Sequence, residues 1–125
     1  MPYLLDTHIL LWWLGDYPKL SKTARELLKD QQNSFFVSSA SAWEIAIKKA
    51  LGKLEAPDEL EKALFENNFL PLSITISHAL TAGKLPLHHL DPFDRMLISQ
   101  AKVENLTIIT HDPIFKKYPM KVIVV

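Results

Sequence analysis

Cysteine is absent from the 125 residues, which excludes a disulfide scaffold, a zinc ribbon and a thiol enzyme. Glycine occurs only three times, and neither a phosphate-cradling loop nor a dinucleotide fingerprint is present. No Gly-x-Ser-x-Gly elbow offers a serine nucleophile. Arginine is scarce: Arg25 and Arg95 stand against 12 lysines. Bidentate base reading is therefore poorly provided for, and any nucleic-acid contact leans on phosphates. The longest unbroken apolar run, Ile9 to Leu14, falls far short of the roughly 20 residues that a membrane span needs. The N-terminus lacks a basic segment and Asp6 interrupts its first apolar run, so no signal peptide is expected. An excess of either charge is missing too, because 14 basic and 14 acidic residues cancel. The sum gives no sign of a polyanionic partner, although the distribution of charge matters more than its total.

Enough is present for a packed core, since 48% of the residues are apolar. The size fits one domain over residues 1–125, and a cytoplasmic location is the simplest expectation. Short apolar runs read as strands at Tyr3–Leu5, Ser34–Val37, Phe69–Ile74, Leu106–Thr110 and Lys121–Val125. Helices are expected over His8–Leu14, stopped by Gly15, and over Lys22–Gln32, capped by Ser21. Others are expected over Ala40–Leu51, closed by Gly52, from Pro57 to about Asn67, around Ser77–Gly83, and from Pro92 to about Glu104. Asp112–Tyr118 reads as a short helix or turn. Strands alternating with helices predict an α/β domain in three layers, with a central parallel sheet of about five strands covered on both faces.

Four acids occupy related places in that scheme. Asp6 ends the first strand, Glu44 lies in the helix after the second, Asp94 in the first turn of the helix leading to the fourth, and Asp112 after the fourth. Ligands of open parallel sheets bind outside the carboxyl ends of the strands, so all four carboxylates can meet in one crevice. Two like charges ~4 Å apart repel by about 4 kcal/mol at an effective dielectric of 20. Such a cluster must take up protons or cations, and an oxygen-only donor set favours Mg²⁺ or Mn²⁺ over zinc. Two such ions ~4 Å apart activate water and stabilise the leaving oxygen in phosphodiester cleavage.

Each acid also has an ordinary structural use. Asp6 suits the cap of the helix after it. Asp91-Pro92 has the grammar of a cap followed by proline, with Asp94 favoured by the first-turn dipole, and Asp112-Pro113 repeats it. Glu44 can pair with Lys48 one turn on. Glu44 fits its ordinary use least well, lying beside Trp43, Ile47 and Leu51 at the edge of what reads as the apolar face.

Four segments together resemble the motifs of PIN-domain nucleases, in particular the VapC-like toxins of type II toxin–antitoxin systems. They are Leu4-Leu5-Asp6-Thr7-His8 with Leu10–Leu14, then Ser39–Ile45, then His89-Leu90-Asp91-Pro92-Phe93-Asp94-Arg95 continuing to Ala101, and finally Leu106–Asp112. The resemblance runs in order from Tyr3 to Val125. It implies a PIN fold and a Mg²⁺- or Mn²⁺-dependent endoribonuclease. The implied metal-binding and catalytic residues are Asp6, Glu44, Asp94 and Asp112. It also implies that Thr7 supports the site by ordering metal waters, that the chain forms a homodimer, and that a VapB-like antitoxin occludes the active site. His111 stands before the last aspartate where the family often has a basic or polar residue.

Lys48, Lys49 and Lys116, with Lys53, Lys117 and His111, are candidate contacts to RNA. Trp12, Trp13 and Trp43 read as core, although Trp12 and Trp13, adjacent on one helix, cannot point the same way. His88 and His89 diverge as neighbours and offer no zinc-hydrolase pair. Two other functions compete with a toxin ribonuclease. One is a module that holds RNA or a partner without cleaving. The other is a small Mg²⁺-dependent phosphatase, for which Asp6-Thr7-His8 lacks the second acid two positions on.

Overall fold

The five strands come from apolar runs that are too short for helices and rich in β-branched and aromatic side chains. They are β1 (Pro2–Leu5), β2 (Ser34–Ser38), β3 (Leu70–Leu72), β4 (Thr107–Thr110) and β5 (Val122–Val124) in a computed structural model that describes residues 1–125. They pair in the order β3-β2-β1-β4-β5, and every pair is parallel. The helices are α1 (Thr7–Leu14), α2 (Lys22–Lys29), α3 (Ser39–Ala50), α4 (Leu60–Glu66), α5 (Ile76–Lys84) and α6 (Pro92–Glu104), with a 3₁₀ turn at Pro113–Lys117. The expected three-layer α/β architecture is therefore the observed one.

Alternation along the central strands feeds two cores. Tyr3, Leu5 and Ile109 join Ile9, Leu10, Ala24, Leu28, Phe35 and Val37 on one face. Leu4 and Ile108 join Leu97, Ile98, Ala101, Phe115 and Tyr118 on the other. Pro71, which removes a ladder donor, is tolerated because β3 is an edge strand.

Local signals act as read at most helix ends. Ser21 accepts from the Ala24 N–H, and Gly52 takes a left-handed φ of 69° just past α3. Two expectations need correction. Pro57 does not open a helix: α4 begins at Leu60 behind Glu59, which makes no side-chain cap. The stripe Trp43–Ile47–Leu51 is not the buried face of α3, since Trp43 and Leu51 are each 63% exposed. The face turned inward carries Ala40, Ser41, Glu44 and Ile45. Its small residues let the helix close on the sheet, and Trp43 is left to meet Phe93 edge-on at 5.5 Å.

The sheet order decides where a site can form. The chain runs outward from β1 through β2 to β3, then returns to the other side of β1 for β4 and β5. The order therefore reverses between β1 and β4, and the crevice beyond their carboxyl ends is the expected ligand position.

Candidate functional site

Asp6 follows β1 directly at that crevice. Its backbone N–H donates to the Ile109 carbonyl at 3.0 Å, which extends the β1–β4 pairing by one residue. Its Oδ1 accepts the His8 N–H at 3.2 Å, so the ordinary capping use is real. Its Oδ2 accepts the Thr110 hydroxyl proton from β4. Asp6 is 3% exposed. That burial pushes its carboxyl above the ordinary value, the nearby Glu44 charge adds to this, and the hydrogen bonds from Thr110 and His8 oppose it.

Glu44 is buried as well, because it lies on the packed face of α3 with Ala40, Ser41 and Ile45. The pair anticipated with Lys48 forms, with Nζ 2.6 Å from Oε2. This bond, then the Glu44, Asp91 and Asp94 charges, raise the Lys48 amine above its usual range. The other oxygen, Oε1, is buried without any hydrogen-bond partner. An ionised carboxylate held this way lacks part of the compensation that burial demands.

Asp94 sits in the first turn of α6, behind the cap formed by Asp91, whose Oδ1 accepts from the Phe93 and Asp94 N–H groups at 2.8 and 3.3 Å. Burial, then the charges of Asp6, Asp91, Glu44 and Asp112, push the Asp94 carboxyl up to about 8. Asp112 caps the 3₁₀ turn through the Ile114 N–H at 2.9 Å. Its own N–H donates to the Thr110 hydroxyl at 3.1 Å, so Thr110 ties Asp112 to Asp6 across the mouth of β4.

Asp6, Asp94 and Asp112 line one cavity of about 450 Å³ with His8, Trp12, Lys19 and His111. Glu44 lines a neighbouring cavity of about 420 Å³ that shares His8 and Trp12 with the first. Three of the four acids thus share one crevice, and Glu44 opens into the adjoining one. One group of three possible ligand atoms lies within 4.8 Å, from His89, Asp94 and Asp112, and neither Asp6 nor Glu44 belongs to it.

His89 is the site residue that pattern reading missed. His88 and His89 do diverge, as neighbours should. His88 meets the Tyr118 ring at 5.3 Å, while His89 packs on Phe115 and brings Nε2 to 3.0 Å from Asp112 Oδ2 and 3.1 Å from Asp94 Oδ2. Thr110 was missed as well, because a threonine at the end of a buried strand reads as core. The sequence signals for His89 are its place two residues before the Asp91 cap and its position at the head of the third motif.

The remaining candidates are placed as follows. Thr7 is buried, and its hydroxyl donates to Ser41 Oγ at 2.9 Å, tying α1 to α3. Lys48 is engaged with Glu44, and Lys49 lies 2.7 Å from Asp58, whose carboxyl it holds below the usual range. His111 is exposed, with Nδ1 2.6 Å from the Val125 carbonyl oxygen and its ring edge-on to Trp12. Lys116 and Lys117 are exposed on the 3₁₀ turn. Trp12 and Trp13 are half-buried; Trp13 donates from Nε1 to Asn67 at 3.0 Å.

Hard oxygen donors from Asp6 and Asp112 at two strand ends and from Asp94 on α6, an unpartnered buried oxygen on Glu44, and a carboxyl driven up by burial and by its acidic neighbours could together hold a divalent cation. No helix is long and apolar enough to cross a membrane.

Comparison with known proteins identifies the family and the fold. The model of the PIN domain family matches residues 3–121. Ribonuclease VapC16 of Mycobacterium tuberculosis is 46% identical over 46 residues, a match covering 34% of this chain and 33% of that protein. The fold is shared with VapBC2 from Rickettsia felis bound to a promoter DNA fragment, at TM-score 0.72 and 21% identity over 99% of this chain and 98% of the other. It is shared too with VapBC-1 from nontypeable Haemophilus influenzae, at TM-score 0.68 and 19% identity, again over 99% and 98% of the two chains.

Proposed function

The chain belongs to the PIN domain family, and on that premise we propose that it is a divalent-metal-dependent RNA endonuclease of the VapC type. In this reading residues 1–125 are one PIN domain. The protein acts as a cytoplasmic toxin, a homodimer restrained by a VapB-like antitoxin. The VapBC complexes that share its fold support the partner, and the partial match to Ribonuclease VapC16 supports the substrate.

The observation that carries the reading is the crevice at the β1–β4 switch. Asp6, Asp94 and Asp112 open into it, and Glu44 stands behind with one oxygen unpartnered. These four residues would hold Mg²⁺ or Mn²⁺. When bound, such an ion supplies a water acidic enough to attack a phosphodiester and a positive centre for the oxygens that gain charge. The chain's own residues set the stage. Thr110 and the His8 N–H fix both oxygens of Asp6. Lys48 neutralises part of the Glu44 charge and holds that carboxylate in place. Thr7, through Ser41, locks α1 against α3 and so fixes the spacing of Asp6 and Glu44.

The substrate side is polar and aromatic. His8, Lys19 and His111 rim the acidic cavity around Trp12, with Lys19 Nζ 5.9 Å from the Trp12 ring centre. The Lys19 ammonium here meets phosphates, and an indole offers a surface on which an unpaired base stacks. Lys116 and Lys117 extend the positive surface beyond Asp112.

The test is cleavage of a mixed end-labelled RNA pool by the purified protein with Mg²⁺, with Mn²⁺ and with EDTA, beside Asp6→Asn prepared identically. Cuts that need the metal and vanish in the variant are expected. Metal-dependent RNA binding without cuts would return the protein to the non-cleaving module.

A further inference from the structure

The His89 imidazole reaches between two of the proposed metal ligands, and its hydrogen bonds state which nitrogen carries the proton. The Asp91 backbone N–H donates to Nδ1 at 3.2 Å. A ring nitrogen that accepts has no hydrogen of its own, so the N–H of the ring is Nε2. That N–H points at Asp112 Oδ2, 3.0 Å away, with Asp94 Oδ2 at 3.1 Å. In this position Nε2 has no lone pair to give a metal. It is a hydrogen-bond donor beside carboxylate oxygens that would help to hold a divalent cation.

The loop carrying His89 is built to hold it there. Arg95 donates to four carbonyls, those of Ala82, Leu85, Pro86 and His89, at 2.8 to 3.1 Å. The Tyr118 hydroxyl accepts the His89 N–H at 2.8 Å and donates to the Pro86 carbonyl at 2.7 Å. Phe115 packs against the ring at 5.6 Å. Backbone, side chain and tautomer are thus each set by a separate partner, which is more than a surface histidine needs.

We propose that His89 is a positioning residue that occupies the cation place between Asp94 and Asp112 in the metal-free protein and must give up these carboxylates when a divalent ion enters. The inference rests on the metal-dependent reading above. It assigns His89 two effects. The residue keeps Asp94 and Asp112 apart and oriented without metal, and it weakens metal affinity by competing for the same oxygens.

The experiment titrates Mn²⁺ alone into wild type, His89→Ala and Tyr118→Phe, with free Mn²⁺ read by electron paramagnetic resonance. Removing a donor bound to a charged acceptor should tighten Mn²⁺ binding roughly tenfold in His89→Ala. Tyr118→Phe, which only loosens the loop, should move the same way by less, and it keeps the test open if His89→Ala folds poorly. In ¹⁵N-histidine-labelled wild type, long-range ¹H–¹⁵N couplings should show Nε2 protonated without metal, and the His89 signals should shift when diamagnetic Mg²⁺ is added. Weaker Mn²⁺ binding in His89→Ala would make the imidazole a ligand and overturn the proposal; unchanged binding in both variants would make it a bystander and do the same. If no form binds Mn²⁺ at all, the metal-dependent reading falls with it. Wild-type binding with the wrong direction in the variants removes only the assignment of His89.

Discussion

Replacing Asp94 by Asn should make the metal-free protein more stable, and the gain should depend on pH. In the fold the Asp94 carboxyl titrates at about 8, against 3.8 for an ordinary aspartate. Burial is the first cause, and the carboxylates of Asp6, Asp91, Glu44 and Asp112 supply the rest. Between these two values the folded chain keeps a proton that the unfolded chain has lost. The resulting contribution to stability is complete below about pH 4 and fades as pH rises to about 8. Each tenfold change in proton affinity is worth about 1.4 kcal/mol, so the ceiling is on the order of 5 kcal/mol. The Asp94 side chain is only 19% exposed, which leaves solvent little scope to screen it. Relaxation of the neighbouring carboxylates reduces the realised effect to about half the ceiling, or roughly 2–3 kcal/mol. For a domain of this size that is about 10 °C in Tm.

The assay is thermal unfolding by circular dichroism across pH 5 to 9 in EDTA, and again with millimolar Mn²⁺. Wild type should lose stability toward pH 8.5 in EDTA, Asp94→Asn should not, and the variant should lie about 10 °C higher at pH 8.5. At pH 5 the gap should shrink to about a third of its value at pH 8.5. Mn²⁺ should raise the wild type at high pH and the variant much less, because the ion binds the folded form through that carboxylate. A wild-type Tm that is flat from pH 5 to 8.5 in EDTA, or a variant no more stable at pH 8.5, would refute the convergence of these acids on Asp94.

Lys48→Met strands the Glu44 charge. With the Lys48 side chain 36% exposed, the cost should be about 1–3 kcal/mol in EDTA, largely restored by Mn²⁺ in the same melting assay. Thr110→Val removes the donor to Asp6 and the acceptor of the Asp112 N–H. Urea unfolding should show a loss of about 1–3 kcal/mol, and a loss near zero would mean that these contacts do not hold the acids. Lys116→Ala should lower the slope of log RNA affinity against log salt by about one if this lysine meets a phosphate; an unchanged slope removes it from the interface. Arg95→Lys cannot reproduce a planar fork that serves four carbonyls. Its backbone amides in loop 85–91 should exchange hydrogen faster than in wild type, and equal protection would show that Tyr118 alone pins the loop.

Much of the fold was legible because period and punctuation act locally. Apolar runs of strand length alternated with helices marked by Ser21, Gly52 and the Asp91-Pro92 cap, and the parallel sheet followed. Pro57 misled because proline suits a first helical turn without creating one. Trp43, Ile47 and Leu51 misled because hydrophobicity marks a face worth burying but does not say which face the packing buries. Glu44 was recognised as ill at ease beside that stripe, yet it belongs to the inward face with Ala40, Ser41 and Ile45.

The sequence alone determined the order of the elements, the oxygen-rich character of the candidate site, and which acids fall near strand ends. Each of these depends on residues close together in the chain. Tertiary structure decided what depends on distance in space. It brought Thr110 to Asp6 across 104 positions and His89 to Asp112 across 23. It left Glu44 Oε1 without a partner and drove the Asp94 carboxyl upward through burial and through the distant charges of Asp6, Glu44 and Asp112. Hydrogen bonds and Coulomb energy act between neighbours in space, and only the assembled fold makes these residues neighbours.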